Sequence, residues 1–334
     1  MAPALYGHRP ELTPERRAFY ERLQSFGAAP LWEVMGTIIP PEPRPQAQPV
    51  LWKYDQLRPL LIEAGRLLTA QEAERRVLIL ENPGLPGRSQ ATGSLYAGLQ
   101  LILPGETART HRHATSALRF VLEGTGAYTS VDGERATMHP GDFIVTPSWR
   151  YHDHGNPGGE TTIWLDGLDV PIVNLFDASF AEHHAEELAP ARAAASGTPP
   201  FSYPYARTRA GLEELRREPV HPIHGFKLRY VDPATGAGPM PTIAAFLQLL
   251  PKGFAGAPLR QTDAAIYVGV EGQGRAQVGD TTFDWGPRDV FVVPSWTPLR
   301  LDAVGGDDAV LFSFSDRPAQ QALGLWREKV EGWL

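Results

Sequence analysis

The feature that most constrains this chain is that it carries one pattern twice. Glu123-Gly124-Thr125-Gly126 matches Glu271-Gly272-Gln273-Gly274, an offset of 148. Further on, GDFIVTPSW (141–149) matches RDVFVVPSW (288–296), an offset of 147. Two separate blocks at nearly one offset imply a duplicated domain. Both lie among short apolar runs punctuated by Gly and Pro, from Leu95 to about Val173 and again from Thr242 to about Phe314. Such runs predict strands, and the 33 Gly and 32 Pro suit many turns better than a helical protein.

Around the repeats the chain predicts helix. Over 12–26, Thr13 can cap a helix, Pro14 sits at its first position, and Phe19 and Leu23 fall four apart. Residues 53–80 predict a helical region ending in the apolar run VLILENPG. Residues 177–220, rich in Ala, Pro, Glu and Arg, predict helix plus linker, and PAQQALGLWREKVEGWL predicts a terminal helix.

The histidines carry the chemistry. His111 and His113 are two apart in a strand-like stretch, so both imidazoles face one side. PSWRYHDHGN then supplies His152. The chain has no cysteine, which excludes disulfides, zinc-thiolate sites, iron–sulfur clusters and cysteine nucleophiles, and leaves His and carboxylates to hold any metal. The spacing Gly105, His111-x-His113, Gly124, followed by Gly133, Pro140-Gly141, His152 and Asn156, resembles the two-part cupin motif. That resemblance implies a jelly-roll barrel with a metal inside. Most cupins add a glutamate four or five positions after the second His; here Ala117 and Leu118 stand there. Three neutral imidazoles suit Fe, Cu, Zn or Ni about equally. The second copy is an internal control. Leu259, Gln261 and Leu299 fall opposite His111, His113 and His152, so a second metal of this kind is not expected.

Several polar residues share strand parity with the histidines. Arg119 should point inward, where a guanidinium beside a dication is costly without an anion. A substrate carboxylate would offset that cost; a structural pair with a barrel Asp or Glu is the alternative. Gln100 and Tyr96 share parity on the preceding strand. His154 shares parity with His152 as a proton donor, substrate contact or supporting group. Asp166 can orient His154 or substrate, or partner Arg119. Arg75 precedes the barrel and can cap the cavity or lie solvated on a helix.

The stretches AERRVLILENPG, LYAGLQLILPGE, HRHATSALRFVLEGTGAYTSVDGE, MHPGDFIVTPSWRYHDHGN and PRDVFVVPSW resemble gentisate 1,2-dioxygenases over roughly residues 15–320. Dioxygenases for salicylate and 1-hydroxy-2-naphthoate are similar. The resemblance implies an all-β dominated bicupin with flanking N-terminal, linker and C-terminal helices. Its expected segments are a helical arm (1–94), a metal-binding barrel (95–176), a linker with helix (177–241), a metal-free barrel (242–316) and a C-terminal helix (317–334). It implies one iron(II) per subunit on His111, His113 and His152. It implies Arg75, Tyr96, Gln100, Arg119, His154 and Asp166 around an aromatic acid, with His154, Asp166 and Arg119 in the chemistry, dioxygen as co-substrate, and a homotetramer. Non-redox metal cupins, such as isomerases or decarboxylases, and non-catalytic binding bicupins are the readings from other classes. The net charge of −7 without a basic block argues against nucleic acid, and no run of about 18 apolar residues predicts a membrane span. The charged N-terminus lacks a signal-peptide core, which makes the cytoplasm the expected location.

Overall fold

The computed structural model describes residues 11–190 and 197–330. The start of the expected N-terminal arm and the end of the expected terminal helix lie outside them. The chain divides into two compact units, Met1–Arg44 and Pro45–Leu334.

In the first unit, α1 (Pro14–Gln24) starts where the sequence predicts, with Thr13 Oγ1 accepting from the Arg16 N–H and Pro14 in the first turn. A second helix, α2 (Leu31–Ile38), follows within the segment expected to be a helical arm. Tyr20 links the two. Its hydroxyl donates to Glu33 Oε1 at 2.8 Å and accepts from Trp32 Nε1 at 2.9 Å.

The second unit runs β1 (Val50–Trp52), α3 (Tyr54–Leu67), α4 (Ala70–Ala73), β2 (Arg76–Ile79), β3 (Tyr96–Ile102), β4 (Thr107–His113), β5 (Ala117–Glu123), β6 (Tyr128–Val131), β7 (Glu134–Thr137), β8 (Phe143–Thr146), β9 (His152–Gly155), β10 (Thr162–Leu168) and α5 (Val170–Leu175). It continues with β11 (Ala181–His183), β12 (Ser202–Tyr203), α6 (Tyr205–Leu215), β13 (Phe226–Arg229), β14 (Ala244–Leu250), β15 (Leu259–Gln261), β16 (Ala265–Glu271), β17 (Gly274–Val278), β18 (Thr281–Trp285), β19 (Val290–Val293), β20 (Leu299–Ala303), β21 (Ala309–Ser315), α7 (Arg317–Ala322) and β22 (Glu328–Val330). The first barrel is two facing sheets, β12-β8-β5-β10-β3-β2 and β11-β4-β9-β6-β7. The second repeats the plan, β1-β19-β16-β21-β14-β13 against β18-β17-β20-β15-β22. One apolar core joins the barrels. Phe120 of the first stacks on Phe312 of the second, ring centroids 4.2 Å apart. Among the described residues no helix is long and apolar enough to cross a membrane.

Three expectations change. Residues 53–80 are not one helical region. Thr69 and Glu72 form a capping box for a four-residue helix, Glu74 leaves the helical region at φ 49°, and Val77 and Ile79 then enter strand β2 beside β3. Their β-branched side chains favour that strand. The linker holds α6 but also strands β11, β12 and β13, each completing a sheet edge. The terminal helix stops after α7, because Gly324 takes a left-handed φ of 71°, and the chain returns as β22 alongside β15.

Candidate metal centre

Strand β4 carries His111 and His113 on one face, and β9 carries His152 directly opposite His111. A register shift between Ala108 and His111 adjusts how the histidine end of β4 meets β9. The three rings cluster with centroids 4.0–5.3 Å apart, and their ligand atoms all lie within 4.8 Å of one another.

The chemistry of the donors fits a metal ion. Burial pushes the His113 imidazole down to about 4 and His111 to about 2, with Arg75 and Arg119 adding repulsion; His152 is held well below its ordinary value for the same reason. All three are therefore neutral near pH 7, the form that ligates. His113 Nδ1 faces the Thr115 carbonyl at 2.8 Å, and His152 Nδ1 faces the Arg150 carbonyl at 3.0 Å. A carbonyl only accepts, so each Nδ1 carries the proton and each Nε2 lone pair is free.

The histidines open into a cavity of about 260 Å³. Arg75, Tyr96, Gln100, Arg119 and Asp166 line it, with Val77, Ala117, Leu168 and Val170 as an apolar wall. Arg119 is 3% exposed; its Nη1 donates to Thr146 Oγ1 at 2.6 Å, and its Nε stands 3.6 Å from Asp166 Oδ1. The pair is thus an ion pair too long for a direct hydrogen bond. Asp166 also accepts from Trp164 Nε1 at 2.9 Å, and burial pushes its carboxyl up to about 6 against the pull of Arg119. Arg75 approaches from outside the barrel, and its Nη2 donates to His111 Nδ1 at 2.7 Å.

His154 is not brought into the cavity lining. It is fully buried, with Nδ1 3.1 Å from Thr129 Oγ1 and its ring 5.9 Å from that of His152. Its Nε2 has no hydrogen-bond partner among the described residues. Thr115, Thr146 and Trp164 were not singled out in the sequence. Each works only by holding another polar group, and nothing local distinguishes such a residue from ordinary strand filling.

The second barrel shows the same frame without donors. Leu259 pairs with Leu299 just as His111 pairs with His152, and the Trp296 N–H reaches the Gln261 carbonyl as the Trp149 N–H reaches that of His113. Gln261 instead donates to Glu328 Oε2 on the terminal strand. Among the described residues, His111, His113 and His152 are the one group found that could hold a metal.

Two jelly-roll barrels, one carrying a three-histidine cluster suited to a metal ion, define a bicupin. The family model of the cupin domain matches residues 98–169. The chain is 50% identical to gentisate 1,2-dioxygenase 1 of Aquipseudomonas alcaligenes, over 97% of this chain and 99% of that protein. It is 37% identical to a gentisate 1,2-dioxygenase of Streptomyces sp., over 92% and 93%. The crystal structure of salicylate 1,2-dioxygenase from Pseudoaminobacter salicylatoxidans in adducts with gentisate superposes with a TM-score of 0.91 at 32% identity, covering 98% of this chain and 97% of that one. The chain belongs to the gentisate 1,2-dioxygenase family, which are oxidoreductases.

Proposed function

We propose that the protein opens the ring of gentisate (2,5-dihydroxybenzoate) with dioxygen. The bond between the carboxyl-bearing and adjacent hydroxyl-bearing carbons breaks, and both oxygen atoms enter the product, maleylpyruvate. The observation that carries this reading is one cavity holding three neutral imidazoles, no carboxylate ligand, and a buried guanidinium beside them. His111, His113 and His152 would hold iron(II), one per subunit. When bound, that ion supplies the redox link between an electron-rich ring and dioxygen.

The chain's own groups do the rest. Arg119 binds the substrate carboxylate, which gives its desolvated charge a closer partner than Asp166 at 3.6 Å. Arg75, Tyr96 and Gln100 add polar contacts around the acid, and Val77, Leu168 and Val170 keep water from the ring face. Asp166, with its carboxyl pushed up to about 6, takes the proton of the 5-hydroxyl near neutral pH. His154, its ring beside His152 and Trp164 and its buried Nε2 without a partner among the described residues, supports the site as a substrate contact or as a positioning group. We place the enzyme in the cytoplasm as a homotetramer, by likeness to its family.

The test is anaerobic loading with iron(II), then oxygen uptake with gentisate, salicylate and 1-hydroxy-2-naphthoate. Gentisate should give the highest kcat/KM, with one oxygen consumed per ring opened. His113→Ala should lose both iron and turnover. Iron retained near one per subunit in that variant would sink the ligand assignment, and a preference for salicylate or naphthoate would move the substrate.

A further inference from the structure

The contact between Arg75 and His111 constrains how the metal site fills. A guanidinium has donors only, so His111 Nδ1, 2.7 Å from Arg75 Nη2, must be the acceptor. A neutral imidazole that accepts at Nδ1 carries its proton at Nε2. His111 can meet a metal ion in two ways. Through Nδ1, the ion needs the lone pair that Arg75 already uses. Through Nε2, the proton must move to Nδ1, where it faces a guanidinium N–H, donor against donor. In both cases Arg75 at this position and a metal on His111 exclude each other. His113 and His152 have no such conflict, since carbonyl oxygens hold their Nδ1 protons.

We propose that Arg75 is a latch on the metal site: it holds His111 in a non-ligating state, yields when a divalent cation enters, and is thereby released toward an anionic ligand. The inference rests on the three histidines being a metal site. Two features give the latch its alternative position. Arg75 lines both the histidine cavity and a separate outer pocket of about 190 Å³ whose wall includes Glu74 and Glu187. Glu74, directly before it, sits at φ 49°, a strained joint for a non-glycine residue. His111 also has a second partner waiting. The Arg109 backbone carbonyl, two residues back on the strand, favours a protonated His111 ring, as that of Arg150 does for His152. With Arg75 gone, an Nδ1–H can serve that carbonyl and free Nε2. Asp166 and Glu74 both attract the guanidinium, so its charge stays compensated as it moves.

Cobalt(II) alone, titrated into metal-free protein against a competing chelator, tests this through its visible absorption. Arg75→Ala should bind cobalt about tenfold or more tightly than wild type, the worth of a lost charge-assisted hydrogen bond. Arg75→Gln keeps an N–H for Nδ1 without the charge and should fall between. Nitrogen-15 NMR of the metal-free proteins should show His111 unprotonated at Nδ1 in wild type and shifted toward the Nδ1–H form in Arg75→Ala. Unchanged or weaker cobalt binding in both variants, with an unchanged His111 tautomer, overturns the latch. Cobalt binding to His113→Ala at wild-type strength overturns instead the metal site on which the latch rests.

Discussion

At the scale of single residues, the site separates groups that touch the cavity from groups that only hold them. Asp166 shows why the distinction has consequences. From sequence it orients His154 or substrate, or partners Arg119; the structure sets it 3.6 Å from the Arg119 Nε and in the cavity lining. A group that serves as proton acceptor for the 5-hydroxyl matters only to a substrate that has one. Asp166→Asn, which preserves an acceptor for Trp164 Nε1, should lower kcat/KM for gentisate by roughly a hundredfold or more. Activity on salicylate, which lacks that hydroxyl, should fall far less. Arg119 loses its partner equally in both assays, so the ratio isolates the hydroxyl. Equal losses would reduce Asp166 to a counter-charge. Eight of the nine residues named from sequence line the cavity; period-two alternation accounts for those on strands, whereas Arg75 lies between α4 and β2 where parity says nothing. His154 obeyed the same parity and is fully buried, its ring against Trp164 and its Nδ1 beside Thr129, without forming part of the cavity lining. Parity fixes the face of a strand but not the depth at which neighbours such as Trp164 and Thr129 enclose a ring.

At the scale of elements, the repeat is longer than the sequence showed. Tyr54-x-x-x-Arg58 on α3 recurs as Tyr205-x-x-x-Arg209 on α6. Arg58 grips Glu123 and Arg209 grips Glu271, the first residues of the two matching Glu-Gly-x-Gly blocks. The strands before these helices are exchanged: β1 pairs with β19 of the second barrel, while β12 pairs with β8 of the first. A carboxylate receives each helix start. Asp289 accepts from the Tyr54 N–H at 3.0 Å and Asp142 from the Tyr205 N–H at 2.9 Å. Two- and three-residue strands leave almost no periodic signal, and their offset is 151 rather than 147 or 148, so the exchange was invisible without coordinates. The PSW motif was legible for a physical reason, since Trp149 and Trp296 both occupy left-handed backbone at φ 62° and 58° in the same turn. Asp289 also holds the Lys53 ammonium at 2.7 Å and the Gly286 N–H at 2.9 Å. Asp289→Ala strands these donors at a largely buried position and should destabilise the fold by about 3 kcal/mol in denaturant unfolding. Cobalt affinity of the folded protein should stay at the wild-type value, because Asp289 serves the second barrel. A loss within about 0.5 kcal/mol would mean that the exchanged strand is held by its ladder alone.

At the scale of the whole molecule, the second barrel is bound to the histidine-bearing one by reciprocal contacts as well as by a shared core. Asp169 accepts from the Ser116 N–H of its own barrel and from the Thr242 hydroxyl of the other. Asp316 repeats this at an offset of 147, accepting from the Ala264 N–H and hydrogen-bonding Ser94 of the first barrel. Arg288, in left-handed backbone where the first copy has Gly141, reaches across to the Leu122 carbonyl at 3.0 Å. The barrel with Leu259, Gln261 and Leu299 at the matching positions therefore still supplies contacts that fix the strands of the other. These crossing carboxylates are buried, and burial pushes Asp316 up from its ordinary 3.8 to about 6, with Asp263 adding repulsion. A folded-state value above the unfolded one means that the native protein holds this proton more tightly. Its contribution to stability is therefore fullest below about pH 4 and is lost as pH rises through 6. The rise from 3.8 to about 6 corresponds to up to about 3 kcal/mol at pH 8. Asp316→Asn removes the charge and keeps an acceptor for the Ala264 N–H, although its amide meets the Gln320 Nε2 donor, which will offset part of the gain. The variant should unfold at higher denaturant than wild type at pH 8, and the difference should shrink steadily toward pH 5. A difference independent of pH would place the effect in packing rather than in the buried charge. A loss of stability at every pH would mean that the ionised carboxylate, hydrogen-bonded to Ala264 and Gln320 on its own side and to Ser94 across the interface, stabilises the fold more strongly than its burial opposes it.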